Sequence, residues 1–89
     1  MEEQEVLRLF GLFTGLSEEE AAGWAVLCRS TIAELTGRLR PGVDPASDAN
    51  RERLSAAAAA ALQQEYLAAV RELVDTGAFC FERVRSHGV

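Results

Sequence analysis

Two helix-forming stretches, separated by a loop that can continue neither of them, set the strongest limit on this fold. The first runs over 17–37 and stops at Thr36-Gly37-Arg38; the second is an alanine-packed run over 49–75. Between them lies Arg40-Pro41-Gly42-Val43-Asp44-Pro45, whose prolines fix φ and remove backbone donors, so no helix propagates through it. A chain of 89 residues has room for one hydrophobic core, and both stretches must contribute to it. The expected fold is therefore all-α. It is a small antiparallel bundle of three main helices, over about 2–13, 17–37 and 49–75, followed by a short C-terminal extension over 78–89.

Each helix carries its own signals. In the first, Val6, Leu9, Phe10 and Phe13 recur at helical spacing and share one face. Glu2, Glu3 and Glu5 lie at its positive dipole end, and Gly15 is placed to end it. Gly11 within it costs about 1 kcal/mol relative to alanine. The second helix has the clearest start: Ser17 and Glu20 form a capping box, Leu16 stands where it packs back onto the first turn, and Glu18 and Glu19 add negative charge. Its apolar stripe is Trp24, Leu27, Cys28, Thr31, Ile32 and Leu35, with Trp24 read as a core anchor. Glu34 and Arg38 stand one turn apart as an ion pair, and Gly37 suits a left-handed closing residue.

Asp44-Pro45 reads either as a turn or as the cap and first residue of the third helix, and Asp48 and Asn50 compete as its cap. That third helix, at roughly 25 residues and about 38 Å, is longer than so small a globule is wide. One end is expected to project or to meet a neighbouring chain. Its stripe is Leu54, Ala58, Ala61, Leu62, Tyr66, Ala69, Val70 and Leu73, widened on one side by Leu67 and Val74. The run Ala56 to Ala61 either lets another helix approach closely or fills the helix with good helix formers. After Gly77 the pattern is neither clearly helical nor clearly alternating. The extension reads as a short strand, a further helical turn, or a tail that orders on a partner. Phe79 and Phe81 within it are either pinned into the core or held for an interface; with Tyr66, Leu67 and Val74 they are the interface candidates.

Composition narrows the function classes. Hydrophobic residues make up 48% of the chain, which excludes wholesale disorder. Net charge is −5, all nine basic residues are arginine, and they are spread without a basic run. Sequence-specific nucleic-acid binding that relies on phosphate neutralisation is not expected. The uncharged stretch between Arg53 and Glu65 is mostly alanine and too short to span a bilayer. The acidic start Met1-Glu2-Glu3 is unlike the positive opening of a signal peptide. A cytoplasmic chain without a membrane partner is the expectation. In that compartment Cys28 and Cys80 read as reduced thiols rather than one disulfide.

Reactive constellations are missing from the pattern. His87 is the sole histidine, and Cys80 with His87 falls short of the four ligands of a closed zinc site. Neither Cys28 nor Ser86 beside His87 has a third group to orient the base. Glu18 to Glu20 read as capping charge, and no glycine cradle for phosphate opens a helix. The expectation is no catalytic residue, no metal and no cofactor.

The order of features is itself informative. An opening helix with Val6-Leu7-Arg8-Leu9-Phe10-Gly11-Leu12 leads into the acidic Ser17-Glu18-Glu19-Glu20. A helix follows that ends Thr31-Ile32-Ala33-Glu34-Leu35-Thr36-Gly37-Arg38, and after a loop comes an alanine-rich helix ending near Ala68-Ala69-Val70-Arg71. Over about residues 6–75 this resembles the head–tail connector proteins of long-tailed phages and prophages, also called DNA-packaging adaptors. The resemblance implies a non-enzymatic subunit of a ring below the capsid portal, extending the DNA channel and offering a platform for tail attachment. It implies as partners further copies of the chain and portal or tail proteins, and a place in the host cytoplasm or virion. The elements it carries over are structural: Thr36-Gly37-Arg38 closing the second helix, and Leu54 to Leu73 as the packing helix. The competing expectation is a small cytosolic adaptor or regulator whose apolar groove binds one partner helix.

Overall fold

The computed structural model describes residues 1–77, and over these the chain is all-α. Four helices follow in order: α1 (Glu3–Thr14), α2 (Glu18–Ala22), α3 (Ala25–Gly37) and α4 (Asp48–Asp75). The extension over 78–89, with Phe79, Cys80, Phe81 and His87, lies outside the described residues. Helix α4 is the spine: α1 and α3 both pack on it, and α1 also touches α2 and α3.

The expected second helix is two helices, because the chain bends at Gly23-Trp24. Gly23 N–H bonds to Glu20 O (3.2 Å) and Trp24 N–H to Ala21 O (3.0 Å), three residues back rather than four. This tightened turn ends α2, and Cys28 N–H to Trp24 O (2.9 Å) restarts the α pattern. Glycine is the weak point because it gains least from staying helical. The bend brings the Trp24 ring edge-on to Tyr66.

The start of α2 is as expected. Glu20 N–H donates to Ser17 Oγ (3.1 Å) and Ser17 N–H donates to Glu20 Oε1 (3.0 Å), a complete capping box. Leu16 is half-buried against the core beside it. Gly15 closes α1 with φ +77°, its N–H bonding to Gly11 O. Gly37 departs from expectation: it is the last residue of α3, and φ is positive only at Gly15, Gly42 and Gly77 among the described residues. Helix α3 instead unwinds through three-residue bonds, Arg38 N–H to Leu35 O and Leu39 N–H to Thr36 O. With its carbonyls satisfied that way, no left-handed residue is required.

The left-handed glycine of this connection is Gly42 (φ +90°), which follows Pro41 inside a turn closed by Val43 N–H to Arg40 O (3.1 Å). Proline then glycine at the two central positions is the pairing a type II turn demands. Asp44-Pro45 resolves as a second turn: Ser47 N–H bonds to Asp44 O (3.2 Å), and Asp44 Oδ1 accepts from Ala46 N–H (2.9 Å). The cap of α4 is Ser47, so neither Asp48 nor Asn50 caps. Asn50 supports it from within the first turn, donating from Nδ2 to Ser47 Oγ (3.0 Å).

The core is small and rich in small side chains. Val6, Phe10, Ala21, Cys28, Ala58, Ala59 and Leu62 are buried, with Leu27, Ile32 and Leu35 among the residues packed against them. On α4 the buried strip is Ser55, Ala58, Ala59 and Leu62, rotated from the expected one, since Leu54 and Ala61 are only half-buried. Short side chains let the α4 backbone approach its neighbours, so the contact centres on the smallest residues rather than the largest. Beyond Leu62, no residue of α4 is fully buried. The 28-residue helix is about 42 Å long in a body 48 × 22 × 19 Å, and its C-terminal end outruns α1 and α3. For that reason Leu73, expected on the buried stripe, stays 40% exposed. Phe13 departs likewise: Val6 and Phe10 are buried, whereas Phe13, in the last turn of α1, is 44% exposed.

Candidate protein interface

Among the described residues no group of three or more His, Cys, Asp or Glu side chains is placed to hold a metal ion. Cys28 is fully buried, its Sγ 4.0 Å from the Glu3 carbonyl oxygen. Burial chiefly, and the Glu3 charge secondarily, push its thiol up to about 11, with Arg29 opposing. It is a protonated core residue at neutral pH, not a nucleophile. Glu20 moves the other way: the Ser17 N–H, then the Ser17 hydroxyl, hold its carboxyl below the usual range. That shift belongs to the capping box.

The interface candidates separate into two kinds. Tyr66 lies within the monomer's own aromatic cluster, edge-on to Phe10 (5.6 Å, 81°) and to Trp24 (4.9 Å, 87°). Such edge-to-face pairs add about 0.5–1.5 kcal/mol each beyond area burial, so Tyr66 ties α1 and the α2–α3 bend to α4. Leu67 and Val74 are brought together on the projecting half of α4. With Val70 and Arg71 they line a shallow depression of about 320 Å³, and Leu67 is 49% exposed. Phe79 and Phe81 lie outside the described residues.

A second surface was not anticipated from the sequence. An open groove of about 650 Å³ runs between α1 and α2. Its apolar lining comes from Leu7, Gly11, Leu12, Leu16, Ala21 and Ala22, and its polar lining from Glu3, Gln4, Arg8 and Glu18. Leu12 is 68% exposed there. Helix α2 and its lead-in lie beside Gly11: a Cβ at that position would stand at ordinary contact distance, 3.4 Å from Leu16 O and 3.7 Å from Ala21 Cβ. The available signal was the pair Leu7 and Leu12, apolar residues of α1 left over once Val6 and Phe10 are assigned to the core.

Charge is segregated along the chain. Residues 1–22 carry six carboxylates (Glu2, Glu3, Glu5, Glu18, Glu19, Glu20) against the single Arg8. The other 67 residues hold eight acidic side chains and eight arginines, so the whole net charge of −5 resides in this segment. Arg8 is held by Glu5 (3.2 Å) and Glu3 by Arg29 of α3 (3.1 Å). Glu18 and Glu19 make no ion pair among the described residues.

Comparison with protein-family models, with curated proteins and with solved structures returned no match. No described helix is long and apolar enough to cross a membrane.

Proposed function

We propose that this chain is a non-enzymatic assembly subunit that works by packing its helices against other protein chains. The observation that carries this reading is where apolar side chains remain on the surface. Leu12 on α1, Val26 on α3, and Leu67 and Leu73 on α4 keep 40–74% of their area exposed. Leu67 and Leu73 belong to a half-helix that reaches past the core. A thin subunit with a modest core and such surface is suited to completing its burial in an oligomer.

The particular assembly we propose is the connector ring suggested by the order of motifs, in which copies of the chain join a portal and carry tail proteins. An acidic ring lining would let DNA pass without adhering, because it offers no phosphate-neutralising groups. The test is co-expression with a portal protein encoded beside it, followed by light scattering and electron microscopy. Rings or a discrete portal-bound stoichiometry support the reading. A locus with no portal, terminase or capsid frame, or a chain that remains monomeric and unbound alongside its neighbouring portal protein, refutes it. The α1–α2 groove favours a second reading, an adaptor that receives one helix of a partner.

A further inference from the structure

We propose that the α1–α2 groove docks a basic amphipathic helix supplied by a different chain; this rests on reading the protein as a helix-packing module and names the partner for one of its faces. Shape sets the class of ligand. Leu7, Leu12 and Leu16 contribute apolar bulk, and the small residues Gly11, Ala21 and Ala22 keep the lining between them low. From Glu3 to Leu12 the groove follows α1 for about 14 Å, room for two to three turns of a partner helix. That length accepts anchors at i, i+3 or i+4, and i+7, the spacing by which an amphipathic helix lies in a groove.

Charge sets the partner's sign. Both walls belong to the segment that carries the chain's entire net negative charge; of the carboxylates on the lining, Glu3 is tied to Arg29 and Glu18 has no ion-pair partner among the described residues. Arg8 adds no free positive charge, being tied to Glu5. Arginine or lysine flanking the apolar anchors would meet the unpaired Glu18 carboxylate between two net-negative helices, whereas an acidic helix or an anionic headgroup would be repelled. A second copy of this chain is a poor occupant. Its equivalent face is equally acidic, and the rest of its sequence is neutral overall, with arginines dispersed.

The test uses the full chain, isotopically labelled, and two synthetic helical peptides with the same leucine anchors, one flanked by arginine and one by glutamate. The arginine peptide should shift amides of Leu7 to Ala22 saturably, and the glutamate peptide should bind at least about tenfold more weakly. Affinity should fall as salt rises from about 50 to about 300 mM, where the screening length shortens. Leu12→Asn, at an exposed position that leaves the fold intact, should weaken the arginine peptide by about tenfold, while Leu73→Asn on α4 should not. Equal binding of both peptides, shifts confined to α4, or an unaffected Leu12→Asn chain would overturn the proposal. Rings formed by a chain whose groove ignores both peptides sink this inference alone. A groove that binds on a chain that never assembles sinks the connector reading alone.

Discussion

Replacing Ser55 with alanine should make this protein more stable, a sign opposite to most core substitutions. Ser55 is fully buried on the face of α4 that meets the other helices, and its Oγ has no hydrogen-bond partner among the described residues. A buried hydroxyl left unpaired costs about 1–3 kcal/mol. Serine is also a poorer helix former than alanine by about 0.5 kcal/mol. Against this, removing one oxygen leaves a void on the order of 15 Å³, which at about 24 cal/mol per Å³ costs about 0.4 kcal/mol. The gain dominates, and Ser55→Ala should add about 1–3 kcal/mol. For a domain of this size each kcal/mol raises Tm by about 4–8 °C. Urea unfolding followed by circular dichroism at 222 nm is the assay, with an unchanged m-value showing that the two end states are comparable. The competing possibility is definite: in solution the hydroxyl turns onto the carbonyl of Arg51, four residues back. Its loss would then cancel the propensity gain, and the variant would match the parent within about 0.5 kcal/mol. A gain below that limit, or any loss, refutes the unpaired-hydroxyl account.

Ser17→Ala removes half of the capping box and should cost about 1 kcal/mol. Because the folded carboxyl of Glu20 lies below its ordinary value of 4.5, its contribution is present above that pH and is lost as pH falls through the depressed value. Urea midpoints of the parent and of a Glu20→Ala chain should therefore converge as pH falls from 6 into acid, whereas the Ser17→Ala gap, which rests on a hydroxyl that does not titrate, should persist; a Glu20→Ala gap that stays constant would contradict the carboxylate's half of the box. In a Cys80→Ser chain, Cys28 should resist iodoacetamide at pH 8 in the native state and react at the free-thiol rate in urea, since burial holds its thiol up at about 11. Native-state alkylation at the unfolded rate would show that the thiol is open. Gly15→Ala forces a Cβ onto φ +77° and should cost about 1 kcal/mol, seen as a lower urea midpoint. Gly11→Ala should gain up to about 1 kcal/mol from helix propensity, because its new Cβ meets its neighbours at ordinary contact distances.

What could be read from the sequence follows from how local each determinant is. The capping box over Ser17–Glu20, the closing role of Gly15 and the Pro41-Gly42 turn all depend on residues within four positions of one another, and all are present. The division of the second helix at Gly23 was missed because an isolated glycine inside a helical pattern is usually tolerated. Here it yields because Trp24 reaches Tyr66, a partner 42 positions away that no local window contains. The rotation of the α4 strip has the same origin. Hydrophobicity ranks Leu54 above Ser55, yet close backbone approach selects Ser55, Ala58 and Ala59. Such selection is a property of the helix pair and cannot be read from either helix alone.

The groove was hidden for a different reason. A helix that touches neighbours on two sides cannot be described by one apolar stripe. Leu7 and Leu12 carry a second face that the Val6–Phe10 spacing conceals, and that face becomes a surface only because α2 folds back beside Gly11. Charge behaves the same way. Taken over all 89 residues, a net −5 marks an ordinary acidic protein; divided in sequence at the bend between α2 and α3, it becomes an acidic segment over 1–22 and a remainder that sums to zero. The bend at Gly23 is what makes that division physical. It lets α2 lie beside α1 while α3 packs on α4, so Glu18 stands on the same groove as Leu7 and Leu12. Straightening the bend would therefore dismantle the groove and disperse its charge in one step. Gly23→Ala tests this, since its Cβ would press on Glu20 O at 3.2 Å: relief by extending α2 into α3 should abolish binding of the arginine-flanked peptide while helix content rises. A variant that gains helix and still binds would separate the groove from the bend.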